Sequence, residues 1–360
     1  MGSDRSSTVS TPAPGSSLPQ QHLQRTLEDQ IQEIRQQNTD SRSASRFRWD
    51  PDWQPVGDAL ECWNHGILVI AGQTNHGKSS ITVNLIQQML FNNSDRMFLM
   101  DFTLDDTARR RMAIYLASLM QVRINDVLQE IEVSHPQVRQ RIDEGYRHMT
   151  TWADSLYIYD HEEIRRAIGG KRGLSVTIED IAGIVDLRAE WLARQNSPRR
   201  LFLAIDSLHD LSTLAHVESD NQRQEVITQR LVDLSTQYQM PIICTTHSRK
   251  TTSWRNPDVD DVYGASGLKY AAQVVTFVYN DAVQRAGTEN SVLTTSHTPP
   301  PYYPNLPYLV PVLVWHWKKN KTSSYLGRMF LKYLHWCNRV ELLDRAQSDL
   351  LERRFTEQNT

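Results

Sequence analysis

The stretch ILVIAGQTNHGKS, residues 67–79, limits the fold more than any other feature of the chain. An apolar run, Ile67–Ala71, leads into Gly72, four further residues and then Gly77, Lys78 and Ser79. After it Ile81, Leu85, Ile86, Met89 and Leu90 fall on one face of a helix. Strand, glycine turn and helix in that order make a cradle where consecutive backbone N–H groups and the positive helix end point at phosphate oxygens. In such a cradle Gln73, Thr74, Asn75, His76 and Ser80 line the phosphates, Lys78 reaches the β- and γ-phosphates, and the Ser79 hydroxyl binds Mg²⁺. The bare pattern arises by accident in roughly one chain in a hundred of this length, and the flanking strand and helix lower that rate. The spacing predicts a nucleoside triphosphate site.

Composition narrows the partners. With 39 Lys and Arg against 42 Asp and Glu the formal net charge is −3, so no global basic field advertises nucleic acid. Any nucleic-acid surface must be a local groove. Cys62, Cys244 and Cys337 are too few and too scattered for a disulfide frame or a zinc site, and read as buried thiols in a reducing, cytoplasmic setting. No apolar run approaches the length of about 18 residues that crosses a membrane, and the N-terminus lacks the apolar core of a secretory signal.

Along the chain, residues 1–19 are rich in Ser, Thr, Pro and Gly and are expected to be a disordered tail. In residues 20–45, Leu23, Leu27, Ile31 and Ile34 make a thin helical stripe followed by a polar joint. So narrow an apolar face needs a partner surface. From residue 46 to about 345, apolar strand-like runs alternate with helical ones. Several runs lack polar alternation, as parallel strands covered on both faces do. This rhythm predicts an α/β fold with a doubly wound, mostly parallel sheet, helices on both faces and a C-terminal antiparallel hairpin around Lys318–Ser324. Residues 281–307 read as a long mobile loop and 346–360 as a polar tail.

Four further groups supply chemistry. Residues 199–207 run apolar into Asp206, a carboxylate placed where a second Mg²⁺ anchor beside a phosphate loop belongs. Hydrolysis needs a carboxylate to orient water, and the strand ending near 101 offers Asp101, Asp105 and Asp106. The last two also suit a helix cap. His247 ends another strand, where it can hydrogen-bond a γ-phosphate or be a plain surface residue. Lys319 and Lys321 crowd the hairpin tip, either as a solvated turn or as cations reaching a neighbour's nucleotide.

Together these residues resemble the C-terminal motor domain of DnaB-like replicative helicases, the superfamily 4 branch of the RecA-like fold. The likeness spans roughly residues 47–343. Gly66–Gly72 with Gly77, Lys78 and Ser79 resembles the family's entry strand and phosphate loop. Phe102–Asp105 stands where the family has a Phe-Ser-Leu-Glu segment, which makes Asp105 the position of its catalytic glutamate. Ile205–Leu211 is similar to the strand with the Mg²⁺ aspartate, and His247 falls where a γ-phosphate-sensing Gln is usual. Pro257–Gly267 resembles the loop that lines a central channel, and Lys319 to Lys321 matches a Lys-x-Arg tip.

The resemblance implies ATP and Mg²⁺ as cofactors, a homohexameric ring with ATP between subunits, and 5′–3′ movement on single-stranded DNA. It also implies a loader or primase partner, and it makes the 20–45 helix a linker that docks on the next subunit. Arg249, Lys250, Arg255 and Lys269 are the basic residues nearest the expected channel, with Gly264 in the loop itself. Asp105 for Glu, Lys321 for Arg, and Tyr263 in a loop that often carries Arg depart from the pattern. The alternative is a RecA/RadA-type DNA-binding ATPase, or a regulatory P-loop ATPase or assembly factor, without unwinding activity.

Overall fold

A computed structural model describes residues 32, 47–129, 135–169, 175–249, 257–263, 266–284 and 293–357. The chain divides into two units, Met1–Arg46 and Phe47–Thr360, and every element below belongs to the second. The stripe Leu23–Ile34 and the 1–19 segment lie outside the described residues, as do Lys250, Arg255 and Gly264.

The strands are β1 (Gly66–Gly72), β2 (Met97–Thr103), β3 (Leu156–Tyr159), β4 (Arg200–Asp206), β5 (Pro241–His247), β6 (Val274–Asn280), β7 (Thr294–Ser296), β8 (Leu309–Asn320), β9 (Gly327–Leu334) and β10 (Arg339–Leu342). The helices are α1 (Gln54–Ala59), α2 (Lys78–Asn93), α3 (Ala108–Met120), α4 (Ile124–Leu128), α5 (Pro136–Thr150), α6 (His161–Ile168), α7 (Ile178–Arg194), α8 (Asp220–Tyr238), α9 (Ser266–Ala271), α10 (Asp281–Gln284) and α11 (Arg345–Glu357). One sheet runs in the order β10-β9-β8-β6-β1-β5-β4-β2-β3, with β7 pairing on β8. The six strands from β6 to β3 are mutually parallel, whereas β8, β9 and β10 add in antiparallel fashion. The expected doubly wound α/β sheet with a closing antiparallel hairpin is the fold.

Alternation along each central strand explains why both faces are covered. Ile67, Val69 and Ala71 of β1 enter one core with Met100, Leu203, Ile227 and Leu231. Leu68 and Ile70 enter the other with Ile81, Leu85, Met89, Trp315 and Trp317. Successive side chains of a strand point to opposite faces, so an unbroken apolar run feeds two layers of helix. Each such aliphatic side chain contributes about 1.5–3 kcal/mol when removed from water.

Three parts of the chain differ from expectation. Residues 293–307 are an ordered strap: β7 pairs with β8, and Tyr302, Tyr303 and Leu306 are buried. The Tyr303 hydroxyl bonds Asp126 and accepts the Arg123 N–H. Prolines set this backbone extended at little entropic cost, and the tyrosines between them supply the packing. Residues 345–357 form α11 in place of a polar tail, with Leu351 and Phe355 buried against Val312, Val314 and Phe330. Cys62 is exposed, while Cys244 and Cys337 are buried as expected, and all three thiols are free. Among the described residues no helix is long and apolar enough to cross a membrane.

Candidate nucleotide site

The loop between β1 and α2 is shaped by two glycines for different reasons. Gly77 has φ +94°, and a Cβ there would also meet Leu313 Cδ1 at 2.7 Å. It is the left-handed N-cap of α2 and offers no side chain to cap it, so the first-turn N–H groups face outward. Gly72 is needed for space instead: a Cβ would lie 2.7 Å from the Val278 carbonyl oxygen on β6. Asn75 takes a second left-handed turn at φ +65°. The loop is thus a curl of backbone donors at a helix start, where anions settle.

The side chains sort themselves around that curl. Lys78 is buried, and its Nζ donates to the carbonyls of Gly72 (3.1 Å) and Gln73 (2.9 Å), holding the loop closed. Burial lowers its pKa, while the carboxylates of Asp206 and Asp105 act in the opposite direction. Thr74 and Asn75 are exposed at the turn and Gln73 is half-buried. His76 turns inward: its Nδ1 accepts the Asn280 N–H at 3.4 Å and its ring meets Tyr279 edge-on. Burial and the Lys78 charge bring its pKa down to about 4, so the ring is neutral. Ser80 donates to Asn338 Oδ1 (2.5 Å) and Tyr333 OH (3.2 Å). His76 and Ser80 therefore have only backbone donors for a phosphate.

Strand order brings Asp206 to the loop. β5 lies between β1 and β4, and Asp206 at the end of β4 is hydrogen-bonded by the Ser79 hydroxyl. Thr245 Oγ1 on β5 donates to Asp206 Oδ1 at 2.6 Å, and Arg111 Nη1 on α3 reaches Oδ2 at 3.0 Å. Burial works to raise this carboxyl, but the Arg111 charge and the hydroxyl donors outweigh it and hold the pKa low. Ser79 and Asp206 are an all-oxygen pair of the kind that suits Mg²⁺, which keeps most of its shell in waters and phosphates. Among the described residues no group of His, Cys, Asp or Glu could enclose a metal by itself, so phosphate oxygens have to complete the shell.

The three acids read as candidate bases separate cleanly. Asp101 is fully buried and locked by Arg111 at 2.8 and 3.1 Å and by the Tyr115 hydroxyl at 2.8 Å, so it faces no water. Asp106 pairs with Arg110 at 2.9 Å. Neither carboxylate caps the helix, because Thr107 is its N-cap. Asp105 stays at the rim, hydrogen-bonded to Asp210. Partial withdrawal from water, the Asp210 charge and that shared hydrogen bond push its pKa up to about 6. Asp210 is held in turn by the Ser207 hydroxyl at 2.5 Å.

His247 sits level with Gly72 in the β1–β5 register, its ring 4.2 Å from that of His209. Its carbonyl accepts the Tyr263 N–H at 2.8 Å, and Gly72 accepts from Ser248 N at 3.3 Å. A cavity of about 540 Å³ opens here between the phosphate loop, His209, His247, Arg249 and Tyr263. Arg249 is exposed on its wall, whereas the Lys269 ammonium is committed to Asp260 and lies over the Tyr270 ring.

The hairpin lysines lie elsewhere. Lys319 pairs with Val275 and Asn320 with Val274, the residue level with Leu68. At about 3.3 Å per residue the tip is roughly 15 Å short of the loop, toward the opposite end of the sheet. Lys319 Nζ is turned onto its own chain, donating to the carbonyls of Lys269 (2.6 Å) and Tyr270 (3.1 Å). Burial and Lys321 lower its pKa to about 8. Lys321 is exposed. Neither can reach this chain's own phosphate loop.

Sequence reading missed Arg111, Thr245, His209 and Asp210. Arg111 left one trace: a charge on the α3 stripe otherwise made of Ile114, Tyr115 and Ser118, which only a buried acid could balance.

A sheet in this order with a phosphate loop after β1 and a paired acid after β4 defines a RecA-like P-loop domain. Residues 56–298 match the DnaB-like helicase C terminal domain, more than half of the chain, and the protein belongs to that family. Its fold is similar to the solved ATPase domain of another DnaB-like helicase, at a TM-score of 0.66 and 11% identity over 89% of this chain and 99% of that one. It is also similar to a DnaB-like replicative helicase whose structure was determined with its primase interactions. There the TM-score is 0.61 at 12% identity, over 78% of this chain and 59% of the other. Among curated proteins none matches the sequence.

Proposed function

We infer that the protein is an ATP-dependent DNA helicase that moves 5′–3′ on single-stranded DNA as a ring of identical subunits. The observation that carries this reading is the Ser79–Asp206 hydrogen bond, which joins the phosphate loop to the acid of β4. The curl from Gln73 to Ser80 binds the phosphates through its N–H groups. Lys78 exchanges its carbonyl partners for the β- and γ-phosphates. A bound Mg²⁺ would bridge phosphate oxygens and neutralise charge that develops on them; Ser79 and Asp206 are the residues that would hold it. Asp105 orients the attacking water, with Asp210 fixing its carboxyl. His247 hydrogen-bonds the terminal phosphate and passes its loss to Tyr263 through the backbone bond between them.

The hairpin placement favours a site shared between subunits. Lys321 acts on the neighbour's phosphates, and Lys319 joins it on leaving the α9 carbonyls. Arg249 and the 257–267 loop face the strand, which is held by charge and stacking without sequence preference. A primase or loader completes the assembly in the cell. The test is unwinding of a duplex with a 5′ single-stranded tail, with Lys78→Ala as control. DNA-stimulated ATP turnover without strand separation would reject the helicase in favour of a DNA-binding ATPase.

A further inference from the structure

Arg111 is fully buried, and it stands between two carboxylates. Its fork grips Asp101 through Nε (2.8 Å) and Nη2 (3.1 Å), while Nη1 reaches Asp206 at 3.0 Å. Tyr115 adds a hydroxyl to Asp101, and Thr245 and Ser79 add theirs to Asp206. One cation therefore serves two acids, and the trio keeps one net negative charge beside the phosphate loop. If Arg111 were only structural glue, the two-pronged pair with Asp101 would suffice. The third bond is the one that matters for the site. It occupies Asp206 Oδ2, while hydroxyls occupy Oδ1, so the carboxylate meets a cation through the cation's own water.

We propose that Arg111 is a positioning residue that fixes the Asp206 carboxylate and tempers its attraction for divalent cations, so that the cation is held only together with a nucleotide. This rests on the nucleotide site proposed above. A bare buried carboxylate next to Ser79 would draw Mg²⁺ without nucleotide. The guanidinium opposes that pull, and Asp101 on its far side offsets part of the opposition. Removing Arg111 and removing the Asp101 charge must then shift cation affinity in opposite directions. Loss of packing would not.

The experiment uses the full chain and Mn²⁺ as a paramagnetic stand-in for Mg²⁺, titrated with and without a non-hydrolysable ATP analogue, with circular dichroism to confirm folding. Wild type is expected to take up Mn²⁺ strongly only with the analogue. Arg111→Met combined with Asp101→Leu leaves no second buried acid unpaired, and raises nucleotide-free Mn²⁺ affinity about tenfold. Asp101→Asn keeps the cation with one counter-ion fewer, and weakens uptake by a similar factor. Arg111→Lys preserves the charge and stays at the wild-type level without nucleotide. Shifts of the same sign, no shift, or nucleotide-free uptake by Arg111→Lys equal to the double variant overturns the proposal while the site stands. A wild type that binds neither analogue nor Mn²⁺ overturns both.

Discussion

Asp105 and Asp210 share a hydrogen bond at the rim of the site, and two carboxyls so placed titrate as a pair. The Asp105 pKa is raised from its ordinary value to about 6 by partial burial and by the Asp210 charge. A base must be ionised to orient water, so ATP turnover is expected to rise with pH and level off above about 6. Asp105→Asn should abolish that inflection with most of the turnover, and Asp210→Asn should move it to lower pH, both read from a rate–pH profile. The sign for stability is opposite. A carboxyl with a raised folded pKa stabilises the fold fully below its ordinary value, and that share is lost as pH rises through about 6. At the other side of the loop, Gly77→Ala combines a left-handed backbone with the Leu313 contact. It should lower the melting temperature and weaken nucleotide binding at least tenfold, since about 1 kcal/mol or more of strain falls on the phosphate cradle. Unchanged calorimetric affinity would show that the curl does not bind the nucleotide.

Elements were legible to different degrees. β1, β4, β5 and β6 could be read nearly to their ends, because a strand buried on both faces is an uninterrupted apolar run in the sequence. The Asp206–Ser79 meeting was legible as well, since a phosphate loop after one strand calls for an acid at the end of a neighbour. What hid was whatever depends on the order of strands. Nothing local says that β5 separates β1 from β4, so Thr245 gave no sign of serving Asp206. Nor does the hairpin sequence reveal that the Lys319 ammonium settles on the carbonyl end of α9. α11 was missed because Leu351 and Phe355 are a very thin stripe, and their cover on β8 and β9 comes from far along the chain. Phe355→Ala is expected to destabilise the protein by about 3 kcal/mol, seen as a lower urea midpoint at unchanged slope. A change under about 0.5 kcal/mol, the size of an ordinary surface substitution, would mean that α11 does not pack on the sheet in solution.

For the molecule as a whole, the hairpin and the phosphate loop occupy opposite ends of one sheet. A subunit acting alone is therefore incomplete, and the missing cation has to come from another copy. Lys78→Ala and Lys321→Ala are each expected to lose DNA-stimulated turnover, and mixing the two should restore a measurable fraction through interfaces that pair an intact loop with an intact tip. Absence of any recovery in mixtures shown to co-assemble would place Lys321 outside the reaction. Such complementation cannot arise if each chain turns over ATP independently.

The edge-on contacts Phe355–Tyr279 and Tyr279–His76, with ring centres 6.2 and 5.7 Å apart, bring the final helix within two rings of the phosphate loop. A purification tag or reporter fused after residue 360 would load that relay, whereas one placed before Met1 would not. Recombinant versions carrying the handle at the carboxyl end should bind nucleotide more weakly than their amino-end counterparts, and preparations of the two kinds ought not to be pooled when affinities are compared.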